Sequence, residues 1–537
     1  MRILSVKSTH DGAAALIEDG RLIFSIENEK DSNRRNSTLS GDALLAVLGK
    51  LETMPDVIAI SGWHNVGAGY LGVESLVAST GNFLGSRVNW FSSSHERSHL
   101  FCALAMSHFP RPSPCYALIW EGTIGQFYRI DERCKVFGYP PVVTHPGQRY
   151  AHVFYLGSSE SRHDYSMPGK LMALAGWPNP QPLTMAEQAL IDQLFRDDLG
   201  AQYRGNIDKF LPQKQELRKI PWTNGGLETP EFRSFAKHFS DELFSRFLRF
   251  AEANLHERLP LLITGGCGLN CEWNTKWRQS GLFSEVFVPP CPNDSGSAIG
   301  TAADAQFYYT GDARLNWSVY SGEEFCDDCK TPDDWEEQSL DFNAVAQCLT
   351  DGEIIPWVQG RYEIGPRALG NRSLLASPFS RASKDRLNAI KAREAYRPIA
   401  PVCTLEDVDR HFLWSGESPY MLHFQKVGNR ALQAIVHDDQ SARVQTVTIA
   451  GNAALHQLLR AFQKITGAPV LCNTSLNWKA CGFINRKSDL FAFADRHKLR
   501  HLAIRQSFFG RKDGGRQLDA IHLAAADANP IAMRQDA

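Results

Sequence analysis

The chain has 537 residues, more than one hydrophobic core usually serves, so two or more domains are expected. Its composition, 43% hydrophobic and 22% charged, is ordinary for a soluble globular protein, and its apolar runs are all shorter than the roughly 20 residues that span a bilayer. A formal net charge of -2 gives no long-range attraction to nucleic acid or acidic membranes. Since the first residues also lack the pattern of a signal peptide, we expect a cytoplasmic protein that binds neither nucleic acid nor membrane.

The first thirty residues predict three antiparallel strands, at 3–6, 13–17 and 22–26. The turns fall at 10–12 and 19–20, because Asp-Gly favours the positive backbone angles of tight hairpins. A meander with a polar loop between its first two strands is how actin-like ATPase domains begin. On its own this pattern is not specific.

The sequence His-Glu-Arg-Ser-His at 95–99 places His95 and His99 one helical turn apart, where both imidazoles can bind one metal ion. The serines that precede them are good helix caps. The same residues also match the zinc-protease pattern HExxH, in which Glu96 would be the general base, although no further zinc-ligand pattern follows. Because such a pair is otherwise a surface or capping pair, the local sequence leaves its function open.

Two carboxylates are candidate partners of these histidines. Glu121 ends the strand predicted at 116–120, and Asp294 lies in a glycine turn at 292–300 that opens a helix of small residues. Carboxylates at strand ends and in glycine turns are suitable ligands for a divalent ion. Each of them, taken alone, is equally well explained as a turn or capping residue.

An earlier glycine turn, at 265–268, follows the strand predicted at 261–264 and precedes a helix that starts near Asn270. A strand, a glycine turn and a helix together let the backbone approach a phosphate or a ribose closely. Glycine turns with a purely structural role are common. The turn at 265–268 therefore indicates a phosphate or ribose site only in combination with the one at 292–300.

Residues 316–340 are acidic, contain Cys and Pro and show no periodicity, so we interpret them as a linker. We therefore predict domains at 1–325 and 340–515, followed by a tail at 516–537 without structure. No sequence repeat relates the two halves. In the second half the patterns predict strands at 354–358, 400–404, 444–448 and 470–472, and helices at 383–391 and 453–466.

The second half also carries a set of polar and basic residues in loops broken by Gly and Pro. Planar cationic forks, hydroxyls and amides are what an anionic phosphate substrate requires. Their position among short apolar strands favours a concave phosphate or nucleotide site, and a solvated surface is the alternative. The set comprises Arg361, Arg367, Arg372, Lys391, Arg393, Arg397, Arg443, Asn473 and Ser475.

Taken together, these motifs resemble the O-carbamoyltransferases of the nodulation-protein and antibiotic-tailoring type, most closely the branch that acts on secondary metabolites. The resemblance spans nearly the whole chain, with motif order and spacing that fit throughout. The matching segments are 10–12, 95–99, 169–175, 265–270, 293–300, 365–373, 391–401, 441–447 and 473–477.

This resemblance implies an α/β protein with two parts. The first would be an actin-like ATPase domain, similar to that of threonylcarbamoyl-transfer proteins, and the second an α/β adenylate-forming domain with a twisted mixed sheet. The second domain would bind carbamoyl phosphate and ATP with Mg²⁺, form carbamoyl adenylate and release pyrophosphate. The first would transfer the carbamoyl group to an acceptor hydroxyl, assisted by a divalent metal ion that we expect to be Fe²⁺.

The resemblance also implies roles for individual residues. His10 matches the base that takes the proton of the acceptor hydroxyl, and Glu121 stands where the family usually has Asp. The implied metal ligands are His95, His99, Glu121 and Asp294, and the implied adenylate-binding residues are Gly169, Lys170, Gly265, Gly266 and Asn270. The implied carbamoyl-phosphate-binding residues are Arg367, Arg372, Lys391, Arg397, Arg443, Asn473 and Ser475, with Lys391 and Arg443 also counted as catalytic alongside His10.

The expected partners are ATP, carbamoyl phosphate and a small molecule with a hydroxyl group, and a homodimer is compatible with the sequence. The acceptor is not predicted, but its pocket is expected in the first domain, at 143–167 and 178–222. Three alternatives are a tRNA threonylcarbamoyl-type transferase, an actin-fold protein that only binds nucleotide, and the HExxH protease. The near-neutral charge speaks against the tRNA substrate.

Overall fold

The computed structural model of the chain describes residues 1–512 apart from 33, 111, 197–206, 208 and 209. Within these residues the protein has a mixed α/β fold with three large sheets. The predicted tail at 516–537 lies outside the described residues. Among the described helices, none is long and apolar enough to cross a lipid bilayer.

The first sheet has six strands in the order β3-β2-β1-β4-β6-β5. Strands β1 to β3 form an antiparallel meander, β4 and β6 continue it in parallel with β1, and β5 closes the edge in the antiparallel direction. The three predicted strands and the turn at 19–20, where both residues have positive φ, are confirmed. The strands are β1 (Arg2–Lys7), β2 (Ala13–Glu18), β3 (Arg21–Glu27), β4 (Val57–Ser61), β5 (Leu76–Phe83) and β6 (Ser86–Ser93).

The second sheet repeats this topology with five strands in the order β11-β10-β7-β8-β9. Again the first three strands form an antiparallel meander and the next two join in parallel beside its first strand. Two such sheets in succession are the arrangement of the actin-like fold, as predicted. The strands are β7 (Cys115–Trp120), β8 (Gly125–Ile130), β9 (Val136–Gly138), β10 (Leu261–Thr264) and β11 (Val286–Phe287).

Two equivalent helices pack against each other between these sheets: α3 (His95–Met106) follows β6, and α9 (Ser297–Thr310) follows β11. Their backbones approach so closely that a Cβ on Gly300 would lie 1.8 Å from the carbonyl oxygen of Ser98. The buried Arg97 of α3 grips Asp304 of α9 through two hydrogen bonds of 2.8 and 2.5 Å. Small residues and one buried ion pair therefore fix the position of α3.

The remaining helices of this part surround the two sheets, and several pack on β7 and β8. Trp120 of β7 stacks on Trp273 at 4.4 Å within a large apolar cluster. The helices are α1 (Asn28–Asp31), α2 (Gly41–Leu48), α4 (Pro146–Gly157), α5 (Met167–Ala175), α6 (Met185–Leu194), α7 (Pro230–Asn254) and α8 (Cys271–Gln279).

The third sheet has eight strands in the order β12-β21-β20-β13-β14-β19-β15-β18, with both parallel and antiparallel pairs. The predicted mixed sheet is confirmed. Its strands are β12 (Trp335–Ser339), β13 (Ile355–Val358), β14 (Arg372–Ala376), β15 (Ala400–Thr404), β18 (Gln445–Val447), β19 (Val470–Ser475), β20 (His501–Ile504) and β21 (Ser507–Arg511), and the short strands β16 (Gln425–Lys426) and β17 (Ser441–Ala442) pair with each other.

Helices cover both faces of this sheet, because alternate strand residues point into two different apolar clusters. The helices α10 and α13 lie on the face of Trp357, and α11 and α14 on the face of Val358. The five helices of this part are α10 (Phe342–Thr350), α11 (Arg381–Ile390), α12 (Val408–His411), α13 (Ala453–Thr466) and α14 (Lys487–Arg496).

The segment interpreted as a linker contains an edge strand. Strand β12 pairs with β21 along its whole length, yet four of its five side chains are exposed. Because an exposed edge strand shows no alternation of apolar and polar residues, the sequence pattern gave no signal for it.

The close contact at Gly300 generates the first prediction. Gly300→Ala should destabilise the protein by about 1–3 kcal/mol or more, because the added methyl forces α9 away from α3. Thermal unfolding measures the effect. The control is Gly41→Ala, where nothing lies within 4 Å of the added carbon. Equal melting temperatures of the two variants would contradict the close packing of α3 and α9.

Candidate active site

The four residues predicted as metal ligands lie together, buried, with one ligand atom of each within 4.8 Å of the others. The two Nε2 atoms of His95 and His99 are 3.2 Å apart. From His99 Nε2, the distance is 3.3 Å to Glu121 Oε2 and 3.4 Å to Asp294 Oδ1. We call these four residues the histidine–carboxylate cluster.

The local structure explains why these side chains converge. Helix α3 begins at His95, where Ser94 Oγ accepts a hydrogen bond from Arg97 N at 3.1 Å. Glu121 directly follows β7, and Asp294 opens the short 3₁₀ turn before α9. The turn after β10 passes very close to the end of β7: a Cβ on Gly265, whose φ is +89°, would lie 2.5 Å from a backbone oxygen there.

Other groups lie close to the second oxygen of each carboxylate. Tyr70 donates its hydroxyl to Glu121 Oε1 at 2.7 Å. Lys7 Nζ lies 3.3 Å and His10 Nε2 3.1 Å from Asp294 Oδ2. As a result Glu121 Oε2 and Asp294 Oδ1 are the oxygens turned toward the two histidines, as ligands of one ion need to be.

The histidine–carboxylate cluster has less positive charge than its two carboxylates need for neutrality. Burial lowers the pKa of His95, whereas the pKa of His99 rises to about 10, because its bonds to Asp294 and Glu121 outweigh the effect of burial. Despite burial, the neighbouring cations and hydrogen bonds hold the pKa values of Glu121 and Asp294 well below their usual range. Both carboxylates are therefore ionised.

Two imidazole nitrogens and two ionised carboxylate oxygens fit a divalent transition-metal ion. First-row metals such as iron and zinc accept this mixed donor set, whereas Ca²⁺ and Mg²⁺ prefer oxygen alone. The ion would take the place of the proton on His99. The cluster can therefore hold a metal ion.

Glu96 is placed differently from the base of a zinc protease. Its Oε2 accepts a hydrogen bond from Gly72 N at 2.6 Å, and its Oε1 accepts one from Tyr128 OH at 2.5 Å. A protease base must be free to take a proton from water at the metal. Both oxygens of Glu96 hold neighbouring segments in place, so the geometry does not support the protease alternative.

His10 lies at the edge of the cluster in the loop between β1 and β2, with 31% of its side chain exposed. Its ring packs edge-on against Trp63 at 4.8 Å. Burial opposes protonation, but the hydrogen bond and charge of Asp294 outweigh it, so the pKa of His10 is raised. A partly exposed imidazole that contacts a carboxylate of the cluster can exchange a proton with a molecule bound there.

A second site is a cavity of about 110 Å³ between α5 and the loops of the third sheet. We call it the arginine cavity. Of the predicted residues, Gly169, Arg367, Arg397, Arg443, Asn473 and Ser475 line it. It is also lined by Met172, Ala173, Pro366, Ala368, Arg393, Pro398, Ala400, Met421, Phe424, His437 and Thr474. Both parts of the chain thus contribute to one cavity.

The arginines of this cavity repel one another. Burial, followed by the charges of neighbouring arginines, lowers the pKa of Arg367 and of Arg393 to about 9. Burial also lowers the pKa of Arg397, although Glu394 partly offsets it. Cations that are mutually destabilised in a cavity favour an anionic ligand, which would relieve the repulsion.

Several predicted residues lie outside this lining. Lys391 Nζ donates to the carbonyl oxygens of Ser475 and Asn477, at 2.6 and 2.9 Å, and so fixes the end of β19. The guanidinium of Arg372, fully buried, donates to the carbonyl oxygens of Gln359 and other neighbours and to Asn485 Oδ1. Neither residue belongs to the lining of the cavity.

The remaining predicted adenylate-binding residues, Lys170, Asn270, Gly265 and Gly266, are outside the lining of the arginine cavity. Lys170 forms ion pairs with Glu394 at 3.4 Å and Glu160 at 3.7 Å. Asn270 caps α8, because its Oδ1 accepts from two backbone N–H groups of that helix. Gly265 and Gly266 lie in the turn after β10, and a Cβ on Gly266 would meet nothing within 4 Å.

That turn connects the two sites. Cys267 Sγ contacts the carbonyl oxygen of Glu121 at 3.8 Å, and Arg367 Nη2 donates to the carbonyl oxygen of Leu269 at 3.4 Å. The loop that carries Arg367 is also held to the first sheet. Glu27 Oε1 accepts a hydrogen bond from Gly365 N at 2.6 Å, and the buried Lys30 Nζ donates to Glu27 Oε1 and to the carbonyl oxygen of Gly365.

Sequence reasoning assigned no individual role to four residues of these sites. Lys7 and Tyr70 contact the carboxylates of the cluster, and Arg393 and His437 line the arginine cavity. Arg393 was noticed in the basic set without a role. A single lysine in a strand, a tyrosine in a loop and an isolated histidine have no spacing pattern that could have found them.

Comparisons with known proteins fit this geometry. The family model described as Carbamoyltransferase N-terminus matches residues 77–303, and Carbamoyltransferase C-terminus matches 346–511. The chain is 42% identical to a 3'-hydroxymethylcephem-O-carbamoyltransferase of Streptomyces clavuligerus and 42% identical to one of Amycolatopsis lactamdurans, covering 96% of this chain and 100% of each relative. It is 35% identical to nodulation protein U of Sinorhizobium fredii (strain NBRC 101917 / NGR234), covering 90% of this chain and 95% of that protein.

Solved structures are more distant. Full-length HypF in its phosphate- and nucleotide-bound form aligns with 59% of this chain and 56% of its own, at 11% identity and a TM-score of 0.32. An archaeal actin homolog, Ta0583, aligns with a TM-score of 0.25 at 11% identity, covering 57% of this chain and 99% of that chain. Likenesses at this level carry no argument about either site.

The cluster generates the second prediction. The purified protein should hold about one divalent transition-metal ion per chain, measured by elemental analysis, and His99→Ala should lose most of it because one ligand is gone. The control is His108→Ala, which removes an imidazole just beyond the end of α3 whose side chain is 61% exposed. Equal metal content in all three proteins would show that the cluster does not bind the ion.

Proposed function

The chain belongs to the carbamoyltransferase family, and from this we propose that it transfers a carbamoyl group from an activated donor to a hydroxyl group of a small molecule. The observation that carries the proposal is the position of His10. Its imidazole is partly exposed, and its Nε2 lies 3.1 Å from Oδ2 of Asp294, a member of a cluster suited to a metal ion. An acceptor hydroxyl that reaches the cluster thus meets a proton acceptor there.

The donor is proposed to form in the arginine cavity. Carbamoyl phosphate would bind there, with ATP and Mg²⁺ at its opening, and the two would give carbamoyl adenylate with release of pyrophosphate. Atom balance for these products requires one water and also releases inorganic phosphate. The four arginines that line the cavity support this step, because phosphate groups accept hydrogen bonds from guanidinium and relieve the repulsion between the cations.

Transfer is proposed to occur at the histidine–carboxylate cluster. His10 takes the proton of the acceptor hydroxyl while the hydroxyl oxygen bonds to the carbamoyl carbon. The bond from that carbon to the phosphate oxygen breaks, and AMP leaves. A divalent ion held by His95, His99, Glu121 and Asp294, for which we propose Fe²⁺, would stabilise the charge on the departing phosphate.

The acceptor is proposed to be a natural product with a hydroxymethyl group. Two relatives that match along their whole length are named for a hydroxymethyl group on a cephem. A 3'-hydroxymethylcephem is therefore the first acceptor to test. The division of labour into parts at 1–325 and 340–515 stays a prediction, and the two family-model matches fall within these segments.

The third prediction tests formation of the donor. With ATP and carbamoyl phosphate the enzyme should release pyrophosphate, measured by a coupled colour assay, and Arg443→Met should slow the release by about 100-fold or more. The exposed Arg430 serves as control, since Arg430→Met removes a cation from the same part of the chain outside the cavity. Release that does not depend on carbamoyl phosphate would contradict the proposed donor.

The fourth prediction separates transfer from donor formation. His10→Ala should slow formation of the carbamoylated cephem, followed by mass spectrometry, by about 100-fold or more, because the acceptor hydroxyl loses its base. Pyrophosphate release should stay near the wild-type rate, since His10 does not line the arginine cavity. A parallel loss of both activities would place His10 in donor formation instead.

A further inference from the structure

Four buried side-chain atoms in the arginine cavity have no hydrogen-bond partner among the described residues: Arg367 Nε, Arg443 Nε, Asn473 Oδ1 and His437 Nε2. Buried polar atoms without a partner are rare, and at the wall of a cavity they indicate a ligand. Two of the four belong to guanidinium groups, which only donate. The other two belong to groups that can accept.

We propose that Asn473 and His437 accept hydrogen bonds from the NH₂ group of carbamoyl phosphate, so that the cavity selects this donor over acetyl phosphate. The proposal rests on the proposed function and adds the basis of its donor specificity. Carbamoyl phosphate has an anionic end that only accepts and an NH₂ end that donates. The unpartnered atoms of the cavity match both ends.

The orientation of the Asn473 amide is fixed by a chain of hydrogen bonds. Gln445 Nε2 donates to the carbonyl oxygen of Leu369 at 2.7 Å, which leaves Gln445 Oε1 as an acceptor. Asn473 Nδ2 donates to that Oε1 at 2.8 Å and to the carbonyl oxygen of Ala368 at 3.3 Å. Both N–H groups of the amide are used, so Asn473 Oδ1 is the atom left for a ligand.

His437 is the second acceptor because its imidazole is neutral. Burial lowers the pKa of His437 to about 4; the charges of Arg443 and Lys384 act in the same direction, and Asp439 only partly opposes them. A neutral imidazole always has one ring nitrogen without a proton. Charged arginine and lysine side chains lack such an acceptor, so His437 differs from the arginines around it.

The small size of the cavity makes the choice between NH₂ and CH₃ matter. Acetyl phosphate has the same charge and nearly the same shape as carbamoyl phosphate, with a methyl in place of the amine. In a cavity of about 110 Å³ that methyl would face the two acceptors and exclude water from them. Sites that hydrogen-bond an NH group reject analogues that lack it, here by about ten- to a hundred-fold.

The test measures binding of three anions to the full-length protein by titration calorimetry: carbamoyl phosphate, acetyl phosphate and inorganic phosphate. The wild-type protein should prefer carbamoyl over acetyl phosphate by about ten-fold or more. His437→Phe removes the acceptor and keeps a ring, so the preference should fall several-fold while the affinity for inorganic phosphate stays the same. His437→Gln supplies another acceptor oxygen and should retain most of the preference.

A matched control is His423→Phe. His423 is also a histidine whose buried Nε2 has no hydrogen-bond partner among the described residues, and burial lowers its pKa to about 3, but it does not line the cavity. This variant should keep the wild-type preference. An equal loss in His423→Phe and His437→Phe would mean that the loss reflects general destabilisation, and would overturn the role of His437.

The outcomes distinguish a failure of this inference from a failure of the proposed function. Wild-type protein that binds carbamoyl and acetyl phosphate equally overturns the inference and leaves the proposed function standing. Wild-type protein that binds no carbamoyl phosphate overturns both. If His437→Phe does not fold, Asn473→Leu tests the other acceptor, and an unchanged preference in that variant overturns the proposal.

Discussion

Glu121 and Asp294 lie close together and are both buried, and two ionised carboxylates in such a position must be neutralised. The surrounding structure is organised around this requirement. Lys7 from β1, His10 from the next loop and the imidazoles of α3 all converge on these two groups. Since α3 reaches them only through its close contact with α9, the packing of two helices and the charge of one site depend on each other.

A comparable constraint joins the two parts of the chain. The arginine cavity has one wall from α5 and the others from loops of the third sheet, so neither part could form it alone. Lys30 and Glu27 hold the glycine loop before Arg367, and the turn after β10 contacts Arg367 from the other side. The arginine cavity therefore depends on both parts of the chain, and its geometry is set by contacts between segments as far apart in sequence as Glu27 and Gly365.

Some features of the fold and of the site could be predicted from the sequence, and others could not. The sequence predicted the strands of the first meander from the position of the hairpin turns, and helix α3 from its serine cap and the i/i+4 histidines. It predicted the four members of the cluster from the spacing of motifs shared with the family. Strand β12 could not, because its side chains are exposed. Arg372 and Lys391 were placed among the ligand-binding residues, but whether a cationic donor points to a cavity or to backbone carbonyls depends on tertiary packing.

The repeated topology of the first two sheets also bears on how such a site can arise. In two sheets of the same topology, equivalent strand ends can lie near each other and still carry different residues. The end of β1 leads to His10, and the equivalent end of β7 carries Glu121, which belongs to the cluster. The repeated topology thus places two equivalent strand ends at one buried cluster, with an imidazole after one and a carboxylate after the other.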